Sequence, residues 1–124
     1  MGLRSDKEIT VYAIQHCHTG RIYVGRTKDL TLRLRAHFGA LRNNNHPNEL
    51  MQRDFNDYGD NYEVFILETI PDEYPIIRDA EYKWMDKLNT GDQRVGYNYK
   101  DHHFKASSID LPEVSPGIPI PNEV

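Results

Sequence analysis

Tyr12, Tyr23, Arg33, His37 and Glu81 have the side-chain types and the order along this 124-residue sequence to act on a phosphate ester. Arginine grips a non-bridging phosphate oxygen through its forked N–H groups, and histidine moves protons near neutral pH. A carboxylate set among apolar residues needs a metal ion, an arginine or strong hydrogen-bond donors, because burying it bare is costly. A phenol beside a cation and a metal-bound water can take that water's proton, since nearby positive charge lowers its pKa. Combined, these properties describe metal-assisted hydrolysis by an activated water.

Such side chains act only if the fold brings them together. The β-branched and aromatic run 9–14 predicts a first strand and residues 21–25 a second, with a turn at 16–20 between them. A loop of residues 16–19 sets Gln15 opposite Gly20 and Tyr12 opposite Tyr23, with both rings on one face as a cross-strand pair. Asp29 is placed to N-cap a helix running to about Arg42, whose buried stripe is Leu30, Leu34, Phe38 and Leu41. Arg33 and His37, four residues apart, project from the same side of that helix at the edge of its stripe. Pro47 suits the start of a second helix, with Leu50, Met51, Phe55 and Tyr58 at helical spacing and Gly59 as its C-cap. A third strand is predicted over 62–67 and a long helix from near Pro75 to near Leu88. In that helix Ile77 lies four positions before Glu81, and Trp84, Met85 and Leu88 follow it, so the carboxylate falls on the apolar stripe. The order β-β-α-α-β-α predicts an α+β domain, a small three-stranded, mostly antiparallel sheet flanked by three helices.

Composition narrows the setting. The length suits one hydrophobic core, and 38% hydrophobic with 27% charged residues fits a globular protein. The net charge of −4 hides an asymmetry: residues 1–53 carry nine Lys/Arg against four Asp/Glu, whereas residues 54–124 carry six against fifteen. A basic half on an acidic chain still offers phosphate a local field. The single Cys17 excludes an internal disulfide and suits a reducing compartment. No apolar run approaches the ~20 residues that span a bilayer, and the N-terminus lacks an export signal, so a cytoplasmic location is expected. His16, Cys17, His18, His102 and His103 lack the paired spacing of a zinc site, and no GxGxxG or GxxxxGK loop occurs. Past Lys105 the chain carries Pro112, Pro116, Pro119 and Pro121 with little to bury, which predicts a folded part over 1–105 and a Pro-rich tail over 106–124.

Taken in order, the motifs resemble the GIY-YIG nuclease family over roughly residues 9–100. Thr10-Val11-Tyr12 stands where Gly-Ile-Tyr is usual, Tyr23-Val24-Gly25 is a common variant of Tyr-Ile-Gly, and Gly96-Tyr97-Asn98 closes the pattern. Lys28-Asp29, His37-Phe38, Leu67-Glu68-Thr69-Ile70-Pro71 and Tyr82-Lys83-Trp84 match as well, and the chain is most similar to the catalytic domains of phage intron-type homing endonucleases. The change of Gly to Thr10 removes no reactive group. The resemblance implies that Glu81 is the sole protein ligand of one Mg²⁺ or Mn²⁺, with waters and phosphate completing the shell. It implies that Tyr12 orients or deprotonates the attacking water, that Arg33 stabilises the transition-state charge, and that Tyr23 holds the phosphate or water network. His37 matches a position able to assist proton transfer. Arg26, Lys28 and His46 are expected on the substrate side, with Asn98 supporting the site. The implied activity is hydrolysis of one strand of double-stranded DNA per active site, leaving 5′-phosphate and 3′-hydroxyl ends, in a bacterial host or phage-infected cell. The chain is expected to act as a stand-alone nuclease, as a homodimer or as the cutting component of a larger assembly, and a double-strand break would take two protomers or two successive events. The alternatives are a catalytically silent nucleic-acid-binding module and a repair-type nuclease selective for DNA structure.

Overall fold

Every side chain from Val11 to Ile14 is buried, which is the pattern of a central strand covered on both faces. The computed structural model describes residues 8–98, and in it β1 (Glu8–His16) lies between β2 (Ile22–Thr27) and β3 (Tyr62–Pro71), antiparallel to both. Helices α1 (Leu30–Arg42), α2 (Glu49–Tyr58) and α3 (Tyr74–Leu88) complete the expected element order. The predicted fold class is therefore borne out. The proposed tail at 106–124, its boundary at 105, and His102 and His103 lie outside the described residues.

The pleat of β1 divides the core in two. Ile9, Val11 and Ala13 pack with Phe65, Ile77, Ala80, Met85 and Leu88 beneath α3. Tyr12 and Ile14 pack on the other side with Leu34, Phe38, Leu41 and Met51 of α1 and α2. The stripe expected on α1 is buried throughout, and Asp29 caps it by accepting a hydrogen bond from the Leu32 amide. For α2 the cap is Asn48, which accepts from the Met51 amide, so the helix starts two residues after Pro47. Tyr58, at helical spacing with Leu50, Met51 and Phe55, is exposed and stacks on His18 with ring centroids 4.3 Å apart.

Two departures from the expected sheet bear on the site. The hairpin pairs Tyr12 with Gly25 and Ile14 with Tyr23, so the tyrosines are diagonal neighbours and not directly opposite. The turn sits one residue later than expected: Gly20 takes a positive φ of 77°, and the His16 ring Nδ1 accepts the His18 and Thr19 amides. A shift of two residues in the paired positions keeps both rings on the same face, which is why the juxtaposition survives the change in register. On the other edge β3 carries a bulge, with Val11 paired to Glu68 but Tyr12 to Ile66. The extra residue is Leu67, directly beside the first tyrosine, a place where bulges re-aim side chains.

Candidate active site

Gly25 explains how the two phenols approach each other. A Cβ at this position would lie 2.5 Å from the Tyr12 hydroxyl oxygen and 2.9 Å from a Tyr23 ring carbon. The glycine of the Tyr-Val-Gly motif is thus the floor on which the Tyr12 ring lies, and the ring centroids of Tyr12 and Tyr23 are 6.3 Å apart. Tyr12 is only 1% exposed, whereas Tyr23 is half-buried and reaches the surface. Burial raises both phenol pKa values. For Tyr12 the neighbouring Tyr23 and Glu81 add to the rise and Arg33 opposes it; for Tyr23 Glu81 adds and Arg33 and Arg26 oppose.

Behind Tyr12 lie two histidines. His37, placed at the edge of the α1 stripe by sequence, is buried at 7% exposure, and its Nε2 is 3.0 Å from the Tyr12 hydroxyl. Its Nδ1 is 2.9 Å from Nε2 of His46, and the two rings stack at 5.1 Å. Burial, helped by His46 and Arg33, pushes the His37 pKa down to about 3, and burial also lowers that of His46. His46 is held by the Gln52 side chain, which accepts its backbone N–H and donates to the Leu41 carbonyl. His37 and Arg33 are one turn apart on α1 yet live in different surroundings: the imidazole turns into the core and the guanidinium stays at the mouth of a cleft.

That cleft, about 780 Å³, gathers residues from β1, β2, α1 and α3 at the β2 edge of the sheet. Tyr23, Arg26, Lys28, Arg33, Asp72 and Glu81 supply its polar wall, and Ile9, Leu32 and Ile77 its apolar wall. Tyr23 and Arg33 also line a second cavity of about 370 Å³, which reaches His37, His46 and Asn48. The Glu81 side chain is 19% exposed, at the edge of the α3 stripe that also buries Ile77, Met85 and Leu88. Arg26 Nε approaches Glu81 Oε1 at 3.4 Å, and Lys28 Nζ approaches Asp72 at 3.3 Å. Two of the expected phosphate-binding cations therefore stand beside acids at the cleft.

The donor set discriminates among metals. Among the described residues no three His, Cys, Asp or Glu side chains cluster in a way that could hold a metal ion. Three carboxylates line the open cleft, Asp29, Asp72 and Glu81, and Glu81 is the one whose charge acts on both phenols; a part-exposed carboxylate so placed fits Mg²⁺ or Mn²⁺, hard cations that keep several waters and accept phosphate oxygens. It does not fit zinc, which takes three or four protein ligands. At the hairpin His16 has both ring nitrogens engaged with backbone groups, one with Gly59 and one with His18 and Thr19.

Asn98 works on the protein itself. Its Oδ1 accepts the Val24 amide at 2.7 Å and its Nδ2 donates to the Val24 carbonyl at 3.0 Å, imitating a neighbouring strand. These bonds fix β2 between Tyr23 and Gly25, so the side chain supports the site from within the protein. Gly96 is required nearby because a Cβ there would collide with the Thr90 backbone.

A second support escaped the sequence reading. Buried Asp54 accepts both oxygens' worth of bonds from Arg21 Nη1 at 2.8 and 2.9 Å, from Thr19 at 3.1 Å and from the Tyr97 hydroxyl at 2.6 Å. It ties the hairpin turn, α2 and the closing Gly-Tyr-Asn segment into one unit. Each partner is far away in sequence, and no local spacing announces it.

A three-stranded antiparallel sheet that sets a phenol, a guanidinium and a part-exposed glutamate at one cleft, with a second phenol buried directly behind, is the layout of a small phosphodiester-cutting domain. Comparison with known proteins agrees. The model of the GIY-YIG catalytic domain matches residues 8–98. Intron-associated endonuclease 1 of Enterobacteria phage T4 is 36% identical over 94 residues, covering 76% of this chain and 38% of that protein. The solved catalytic domain of intron endonuclease I-TevI superposes with a TM-score of 0.68, at 34% identity, over 75% of this chain and 99% of that one. A mutant form of the same domain gives 0.69 over 79% of this chain. The chain belongs to the GIY-YIG family and carries its nuclease domain. It spans little more than a third of the length of the phage relative it matches.

Proposed function

We propose that this protein is a metal-dependent endonuclease that hydrolyses phosphodiester bonds of double-stranded DNA, one strand per active site. The observation that carries the reading is the cleft in which Glu81, Arg33 and Tyr23 meet, with Tyr12 directly behind. Glu81 would hold one Mg²⁺ or Mn²⁺, which when bound supplies Lewis acidity toward the phosphate and a lowered pKa for water. Arg33, exposed at the cleft mouth, grips a non-bridging oxygen and stabilises the charge that builds on it. Tyr23 holds the phosphate or the water network from the cleft wall. Tyr12 orients or deprotonates the attacking water from a position shielded from bulk solvent, the residue being 1% exposed. Arg26 and Lys28 exchange their carboxylate partners for backbone phosphates when DNA enters.

One such site cuts one strand, so a double-strand break takes two protomers or two successive events. Cytoplasm of a bacterial or phage-infected cell is the setting that suits a DNA substrate, and no helix among the described residues is long and apolar enough to cross a membrane. Supercoiled plasmid incubated with Mg²⁺ or Mn²⁺, with an EDTA control and Arg33→Ala alongside, tests the proposal. Relaxed circles are expected from the wild type with metal only, and at least about 100-fold fewer from the variant. Plasmid, branched and linear DNA all left intact by the wild type would refute it.

A further inference from the structure

The hydrogen bonds behind Tyr12 carry a direction, and that direction is set by a group whose proton position is not open to choice. The backbone amide of Asn48 points at Nδ1 of His46, with 3.0 Å between the nitrogens. A backbone N–H is always a donor, so Nδ1 of His46 must present its lone pair and the ring proton must sit on Nε2. That Nε2 is 2.9 Å from Nδ1 of His37. Two protons cannot share this gap, so His46 donates and His37 accepts, which leaves the His37 proton on its own Nε2. This nitrogen in turn is 3.0 Å from the Tyr12 hydroxyl oxygen. Neither ring has room for a second proton without breaking a bond in the series, and both are buried, which favours the neutral form.

We propose that His46 is a positioning residue that orients a one-way chain, from the Asn48 amide through His46 and His37 to Tyr12, so that His37 donates to the Tyr12 oxygen and cannot receive its proton. The proposal deepens the nuclease reading and rests on it for its catalytic meaning. The Tyr12 proton must then leave on the side away from His37, to water there and from it to solvent base, before the phenolate takes one back from the attacking water. Once it has gone, the phenolate oxygen keeps the hydrogen bond from His37 Nε2–H and offers its remaining lone pairs to the attacking water. This differs from the expectation that His37 assists by transferring a proton: it stabilises the base and stays protonated at the same atom throughout. His46 touches neither water nor phosphate in this scheme. It acts by forbidding the other tautomer of His37, in which a bare Nε2 would compete for the Tyr12 proton.

The test is the tautomeric state of the two rings, read by long-range ¹H–¹⁵N correlation on histidine-labelled protein at neutral pH, with signals assigned by the His37 and His46 variants. Protonated Nε2 and unprotonated Nδ1 in both rings are expected. A Nδ1–H tautomer or a charged ring at either position overturns the chain. This spectrum is informative whether or not the protein cuts DNA, so a failure of the nuclease reading and a failure of the chain are separately visible. For the catalytic role, His46→Phe keeps the ring's bulk and removes its donor, whereas His46→Gln retains an N–H near the position of Nε2. The Phe variant is expected to lose the Nε2–H preference of His37 and to cut 10- to 100-fold more slowly at saturating DNA with KM unchanged. The Gln variant is expected to keep that preference and to cut at least ten times faster than the Phe variant. Equal rates for the two folded variants, or a His37 tautomer indifferent to both, would overturn the positioning role.

Discussion

On one side of Tyr23 stand Tyr12, His37 and His46, buried, uncharged and joined by hydrogen bonds of 2.9 to 3.0 Å. On the other stand Arg26, Lys28, Arg33 and Glu81, at the wall of an open cleft and with ion pairs of 3.3 to 3.4 Å. The first group is completed when the chain folds, because buried polar groups must find partners within the protein. The second is left exchangeable, because exposed ion pairs are weak and screened by salt. A metal ion and a DNA backbone replace such partners at little cost. On the proposed reading, the buried group positions the proton-handling side chains and the cleft receives substrate.

If that division holds, changes on the buried side move stability and rate together, whereas changes in the cleft move function alone. The largest combined effect is expected at Gly25→Ala, whose methyl group would overlap the Tyr12 hydroxyl. Overpacking of this kind costs about 1–3 kcal/mol, and displacement of the phenol should slow nicking by about 100-fold or more. Urea unfolding and plasmid nicking on the same preparation check both.

Acid should act next. The His37 pKa is held at about 3 in the folded chain against 6.5 for an ordinary histidine. The unfolded chain therefore binds a proton that the folded one refuses, so the stabilisation is full above about pH 6.5 and is lost as pH falls toward 3. At about 1.4 kcal/mol per pH unit the loss between pH 7 and pH 4 is about 3 kcal/mol. It is measured as the difference in acid slope between the wild type and His37→Phe; identical slopes would contradict it. The smallest effect is expected at Arg26→Ala, whose side chain is 41% exposed. Unfolding should not change beyond about 0.5 kcal/mol. DNA binding should weaken a few-fold, with the salt slope reduced by about one.

Much of this division was legible in the sequence where local chemistry decides. Asp29 before an apolar helical stripe specifies α1, and the spacing around Glu81 puts its carboxylate on the apolar stripe of α3, where the structure has it at the stripe's edge, 19% exposed. Alternation alone puts the two tyrosines on one face, which holds although the hairpin register differs by two residues from the expected one, because face depends on parity and register on turn geometry. The turn itself is set by His16 folding back onto the His18 and Thr19 amides, which residue type alone does not announce. Pro47 drew the start of α2 forward, but Asn48 takes the cap because its side chain can accept a backbone amide. His37 passed for an edge residue since helical spacing cannot reveal that a second histidine from the 43–48 loop will cover it. Asp54, Arg21 and Tyr97 meet only through long-range packing and leave no local signature.

Glu81→Ala bears most directly on the central claim that one carboxylate at the cleft edge makes the site metal-dependent. Nicking of supercoiled plasmid in Mg²⁺ or Mn²⁺ should fall by about 1,000-fold or more while urea stability stays within about 0.5 kcal/mol of the wild type. A variant that still nicks within tenfold of the wild-type rate, equally folded, would contradict the account.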